Sequence, residues 1–269
     1  MKITRLGWAG VELEATGGEL AVIDLLVNTE GMRERMGEPH TALPAPSRSG
    51  AAVAALVTHL HPDHTDPDAI AAALHPKGVL LRPAPDTGAF LEIAGSLEAE
   101  RRLVELGVRQ RIVNPWETVD AGPFRATAVP AVDGFGDVQV SWIVEAGGTR
   151  IYHAGDTLFH GWWWRARMRA GEIDYAFLPV NGPHVSLPHR VPASPRNAVM
   201  TPAEAAAAAL LLGARVAIPI HYDTLEQPPV YVQTEVPAGA FLAEAAALDV
   251  DARIVEPGAV VHESAAAPA

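Results

Sequence analysis

Four side chains able to bind metal stand within six residues, His59-Leu60-His61-Pro62-Asp63-His64, directly behind the apolar run Ala51 to Val57. No other feature constrains the fold as much, because it reads as a buried strand running out into a metal-binding turn. In an extended segment His59 and His61 point the same way, since side chains alternate with period two. The turn favoured by Pro62 then swings Asp63 and His64 toward a neighbouring point. Such a cluster suits two adjacent metal ions better than one. Imidazole nitrogens fit zinc, iron or manganese, and the carboxylate adds a hard anionic ligand.

The rest of the chain can supply a fold around that strand. Its 269 residues, 49% hydrophobic, are enough for one large α/β domain, expected over 1–262, with 263–269 a frayed tail. Short strands are expected at Met1 to Leu6, Gly10 to Ala15, Leu20 to Val27 and Ala51 to Thr58. Residues 28–50 form a long polar loop. Helices are expected at Asp66 to Leu74 and across most of Thr87 to Leu106, around a strand at Val79 to Arg82. A run of strands follows, from Ile112 to His153, and then Tyr175 to Val180. Thr201, Pro202 and Glu204 form a capping box that starts an Ala-rich helix. Val216 to Ile220 reads as a strand, Ala238 to Leu248 as a helix and Ala252 to Val255 as the last strand. Two strand-rich halves, each followed by helices, suggest two sheets packed face to face with helices outside.

Polar residues recur where these strands end: Asp133 after Phe124 to Val129, Asp156 after Ile151-Tyr152, and His221 after Val216 to Ile220. Ligands at several strand ends can converge on one rim, the usual location of α/β active sites. The spacing His-x-His-x-Asp-His, then Ala-Gly-Asp-Thr, then Ile-Pro-Ile-His resembles the metallo-β-lactamase superfamily. The nearer likeness is to its ascorbate-6-phosphate-lactonase-like branch of metal-dependent hydrolases. Ile3-Thr4-Arg5-Leu6-Gly7, Asp24 and the stretch Asp174 to Val180 carry that second likeness, which runs from residue 3 to about Tyr222.

The resemblance implies an αβ/βα four-layer sandwich and a dinuclear centre, zinc first, manganese or iron as alternatives. Carried over by position, His59 and His61 would bind the first metal. Asp63, His64 and His221 would bind the second, and Asp156 would bridge them. The family usually supplies a third histidine to the first metal, and here Asp133 stands in its place. Either Asp133 is a ligand or it is an Asp-Gly turn residue. As a ligand it makes three carboxylates, which with a bridging hydroxide balance two divalent cations. Such a neutral centre should acidify water less, hold anionic substrates less tightly and favour harder ions. Trp8 stands where many relatives of the branch carry histidine, and Asp24 could support a ligand histidine.

Two metals about 3.5–4 Å apart can share a water, lower its pKa and polarise a substrate oxygen. The expected activity is therefore hydrolysis of a small molecule (lactone, ester, amide or phosphodiester) by a metal-bridging hydroxide. The chain has no cysteine and no Gly-x-Ser-x-Gly elbow to supply a protein nucleophile. Asp63 could also orient or accept a proton. His160 and His184 are the candidates for substrate contact or leaving-group protonation, or else loop residues facing water. A metal-binding protein without catalysis and a redox enzyme on the same scaffold are the rival readings.

Trp162-Trp163-Trp164 would line a pocket, form a subunit contact in a homo-oligomer, or anchor a loop to the core. Arg165, Arg167 and Arg169 would receive an anionic substrate, or else form one face of an ordinary solvated segment. The formal charge of −12 argues against nucleic acid as a partner. Without an apolar leader or spanning segment, no membrane role and a cytoplasmic location are expected.

Overall fold

The computed structural model describes residues 1–264. The first half of the chain supplies strands Lys2–Gly7 (β1), Gly10–Glu14 (β2), Leu20–Ile23 (β3), Ala52–Leu56 (β4), Leu74–Arg82 (β5) and Gln110–Ile112 (β6). The second half supplies Thr118–Ala121 (β7), Phe124–Pro130 (β8), Val140–Ala146 (β9), Thr149–His153 (β10), Ile173–Pro179 (β11) and, after the short His184–Val185 (β12), Ala214–Ile220 (β13). Tyr231–Val232 (β14) pairs with β12, and Val260–Glu263 (β15) returns to the first sheet beside β1. One sheet has the order β15-β1-β2-β3-β4-β5-β6 and the other β13-β11-β10-β9-β8-β7.

The helices are Arg33–Met36 (α1), Pro67–Ala73 (α2), Phe90–Glu105 (α3), Trp163–Ala170 (α4), Pro202–Leu212 (α5) and Pro237–Ala247 (α6). The β3-β4-β5-β6 and β10-β11-β13 pairings are parallel. Parallel neighbours need crossovers: the long segment carrying α1 joins β3 to β4, and α2, α3, α4 and α5 lie in the other four.

Period-two alternation sorts the strands into layers. In β4 and the residue after it, Ala54 and Leu56 pack between the sheets, while Ala55 and Val57 face α2 and α3; a register shift between Ala52 and Ala54 puts Ala52 with the latter. In β11, Tyr175 and Phe177 pack toward the core between the sheets, and Ala176 and Leu178 join the cluster beneath α4, α5 and α6. Both sheets are apolar on both faces and are covered by helices outside. The order is helix, sheet, sheet, helix, as expected. Trp142, fully buried in β9, donates its indole N–H to the Val57 carbonyl at 2.9 Å and ties the second sheet to the root of the metal-binding turn.

Several local expectations are corrected. The strand at Leu20 stops at Ile23, because Asp24 takes a left-handed backbone (φ 45°) that ends the ladder. Ala252 makes only an isolated bridge with Ala217, so the last strand is β15. Glu263, placed in the tail by sequence, is paired with Lys2. Ser264 follows it and donates its N–H to the Met1 carbonyl, and 265–269 lie outside the described residues. The tryptophan run opens α4: Trp163 is fully buried against Tyr152 and His160, while Trp164 is exposed. Arg165 and Arg169 stack over Trp162 and Trp116, so they are partly committed to packing. Among the described residues no helix is long and apolar enough to cross a membrane.

Candidate metal centre

Strand ends deliver the polar residues. His59 to His64 follow β4, Asp133 follows β8, Asp156 follows β10 and His221 follows β13. Their donor atoms form two groups, each within 4.8 Å: His59, His61, Asp133 and Asp156, and then Asp63, His64, Asp156 and His221. All seven residues singled out as ligands are thus brought together, with Asp156 in both groups. Each group holds two imidazoles and two carboxylates.

Each imidazole has one nitrogen fixed from outside and the other turned inward. His64 Nδ1 lies 2.8 Å from Asp24 Oδ2, and His221 Nδ1 lies 3.0 Å from Asn181 Oδ1. His61 Nε2 lies 2.7 Å from Asp137 Oδ2, leaving Nδ1 to face Asp133. His59 Nδ1 lies 3.1 Å from Thr58 Oγ1, whose hydroxyl donates to Asp24 Oδ2 at 2.7 Å. This pattern selects one tautomer per ring and aims a lone pair at the centre. His59 Nε2 and His64 Nε2 are buried without any hydrogen-bond partner. Orphaned acceptors of this kind are expensive unless something cationic meets them. The residues therefore fit a pair of divalent ions, in donor type and in orientation.

The electrostatics agree. Burial disfavours charge on His64, yet the carboxylates of Asp63, Asp156 and Asp24 push its pKa well above the usual value. Burial likewise opposes charge on His61, but the Asp137 hydrogen bond and the charges of Asp133, Asp156 and Asp63 raise it to about 9. Burial holds His59 well below the usual value, helped by the charges of His64 and His61. Burial raises Asp156 to about 7. The carboxylates draw positive charge into the cluster, so protons and metal compete for the same lone pairs.

Three residues on this rim hold left-handed backbones although none is glycine: Trp8 (φ 44°), Asp24 (φ 45°) and His221 (φ 60°). Such conformations cost about 1–3 kcal/mol each and persist where surroundings over-determine them. Trp8 shows what over-determines it. Its carbonyl accepts from His221 N, its ring lies 4.0 Å from the His221 ring, and its indole N–H donates to Asp63 Oδ2 at 3.2 Å. The unusual tryptophan thus orients two candidate ligands.

A cavity of about 420 Å³ opens over the cluster, with His61, Asp63, Asp156 and His221 at its floor. Its walls are largely apolar, built from Met32, Phe90, Phe135, Val185, Leu187 and Tyr231 among others. Gly95 of α3 lets the helix approach the His61 ring: a Cβ there would sit 3.2 Å from His61 Cδ2. Neither His160 nor His184 lines this cavity. His160 stacks on Trp163 with centroids 4.0 Å apart, and its Nδ1 accepts from Trp162 N. His184 is exposed on β12, where alternation sends its neighbour Val185 to the cavity wall instead. Tyr231 and His189 line it in their place.

Several supporting residues escaped the sequence reading. Asp137 and Gln139 are two; Gln139 donates to Asp156 Oδ1 at 3.0 Å. Nothing in the local pattern marks either. Asn181 had a signal, since it follows the end of β11 as the ligands follow theirs.

The profile of the Beta-lactamase superfamily domain matches residues 22–222. The chain belongs to this superfamily. It is 31% identical over 235 residues to a UPF0173 metal-dependent hydrolase of Rubrobacter xylanophilus, covering 83% of this chain and 82% of that one. Among solved structures, Igni18, a metallo hydrolase from Ignicoccus hospitalis, superposes with a TM-score of 0.68 at 20% identity, covering 97% of each chain. CmlA, a diiron β-hydroxylase from Streptomyces venezuelae, reaches 0.73 at 14% identity over 97% of this chain and 54% of that one. The same fold therefore hosts hydrolytic and oxidative chemistry, and only the site can choose between them.

Proposed function

We propose that the protein is a metal-dependent hydrolase of small molecules with a neutral scissile carbonyl, an ester, lactone or amide, in preference to a phosphodiester. The observation that carries this is the pair of matched donor groups at the floor of an apolar cavity. Two ions, when bound, would supply an acidified water as hydroxide between them and polarise the substrate oxygen. His59, His61, Asp133 and Asp156 would hold one ion, and Asp63, His64, His221 and Asp156 the other. Three carboxylates offset most of the charge of two divalent ions, so the centre offers little net attraction to a phosphate. Zinc suits the imidazoles, while the oxygen of Asp133 improves the hold on manganese or ferrous iron.

The protein's own groups have defined tasks. Asp63 is held by the Trp8 indole and lies 3.3 Å from His221 Nε2, placed to orient water or accept its proton. Tyr231 accepts from Asn181 Nδ2 at 2.8 Å, which leaves its own hydroxyl hydrogen for a substrate oxygen in the cavity. The phenol takes the donor role expected of His160 and His184.

Metal analysis of wild type and Asp133→Ala, followed by turnover of p-nitrophenyl butyrate and bis-p-nitrophenyl phosphate, tests the reading. Two ions per wild-type chain, one fewer in the variant, and faster ester turnover are expected. Full metal content in the variant, or a faster phosphodiester, would overturn the corresponding part.

A further inference from the structure

The cavity combines apolar walls with an uneven distribution of charge. The chain carries 32 Asp and Glu against 20 Lys and Arg, yet among the described residues the only carboxylates lining the cavity are Asp63 and Asp156, both in the metal cluster. The other ionisable groups on its walls include Arg35, Arg190 and His189. Arg190 is partly engaged: it donates to the Phe135 carbonyl at 2.9 Å, approaches Asp137 Oδ2 at 3.3 Å and stacks on Phe135. Arg35, on the exposed face of α1, has no ion pair or side-chain hydrogen bond among the described residues. An adjoining groove shares Arg35 and is lined by Asp66, Asp68, Glu98 and Glu105, but also by Arg101 and Arg102, which pair with Glu105 and Asp68, so its charges largely cancel and it offers an anion no strong attraction.

From this distribution we infer that the substrate is an apolar molecule bearing a carboxylate or similar monoanion away from its scissile carbonyl, and that Arg35 receives that anion at the cavity mouth. The inference rests on reading the cavity as the substrate site. The division of labour is physical. A nearly neutral metal centre leaves the anion little reason to go to the floor, whereas the exposed Arg35 can meet it without desolvating a buried charge. Apolar walls select the body between the two ends.

Binding of 6-phenylhexanoate and of 6-phenyl-1-hexanol to the metal-loaded protein separates the parts. Calorimetry should show the carboxylate bound more tightly than the alcohol. In Arg35→Met the carboxylate-to-alcohol affinity ratio should fall about 5-fold, the upper range for an exposed ion pair. Arg33→Met, which removes a charge from the same helix outside the cavity, should leave the ratio unchanged. A ratio that survives Arg35→Met would place the carboxylate elsewhere, on the metals or on Arg190, and overturn the assignment. So would equal binding of the two compounds by the wild type. Absence of ester turnover with the ratio shift intact would count against the hydrolase reading alone, because binding is read without chemistry.

Discussion

Asp24 is the perturbation that best tests how the centre is built. Its side chain is fully buried; Oδ1 accepts from Thr58 N at 2.8 Å, and Oδ2 accepts from Thr58 Oγ1 at 2.7 Å and lies 2.8 Å from His64 Nδ1. In Asp24→Asn the shape is kept, but one oxygen becomes an NH2 donor. If the amide oxygen stays on Thr58 N, the new donor faces two groups that were donating. His64 then must accept at Nδ1 and carry its proton on Nε2, the atom aimed at the metal. The Thr58 hydroxyl must likewise turn, donate to His59 Nδ1 and shift that proton to Nε2. Two ligand lone pairs are lost through one atom. Loss of a supporting carboxylate typically weakens metal binding about 10–100-fold, or roughly 1.4–2.7 kcal/mol. With both rings turned, the upper end is expected. The assay is a competition titration against a fluorescent chelator at constant pH, with melting curves to show that the variant folds. Asp66→Asn is the control. Asp66 caps α2 and holds Val27 N and Asn28 N without touching a ligand, so it should lower stability and spare affinity. Unchanged affinity for both ions in a folded Asp24→Asn protein would refute the idea that Asp24 sets the tautomers.

His160 gives a pH prediction away from the metals. Burial lowers its pKa to about 4 from an ordinary value near 6.5, so the unfolded chain binds the proton first. Its contribution to stability is present above pH 6.5 and is lost as pH falls toward 4, at up to about 1.4 kcal/mol per unit. In urea titrations, His160→Phe should therefore lose less stability than wild type between pH 6.5 and 4.5; parallel losses would contradict the assigned shift. At Gly134 a Cβ would overlap the Ala198 carbonyl oxygen and crowd its Cα. Overpacking against backbone costs about 1–3 kcal/mol, so Gly134→Ala should lower the Tm by several degrees and an unchanged melt would show that this contact can yield.

What the sequence revealed, and what it hid, divides along one physical line. His59 to His64, Asp156 and His221 were legible because a strand end fixes where the next side chain goes. The layers were legible because β4 and β11 are apolar at successive positions, which only a sheet covered on both faces tolerates. Asp137, Gln139 and the task of Trp8 were not legible. Each acts through a tertiary contact, between residues 55 apart for Trp8 and Asp63, 76 for Asp137 and His61 and 17 for Gln139 and Asp156, and nothing local records such a partner. His160 and His184 failed for a related reason. Position after a strand end places a residue on the rim, but only the turn of the chain decides whether it faces the cavity, Trp163 or water.

Asp133 shows how two readings that exclude each other in sequence can coexist in space. As a turn residue, its Oδ1 accepts from Phe135 N at 2.6 Å and Asp137 N at 3.1 Å. As a candidate ligand, its Oδ2 lies 3.9 Å from His61 Nδ1 within the metal group. A carboxylate can do both because each oxygen accepts. A neutral histidine there could not, since a ring with one lone pair aimed at a metal carries its proton on the other nitrogen, a donor where the turn needs an acceptor. The same turn delivers Asp137, whose carboxylate fixes His61 and is in turn held by Arg190. Asp133, where the resemblance expects a histidine, therefore does more than offer one candidate ligand. It accepts within the turn that presents the next support, and it makes the two candidate metal groups alike in donors.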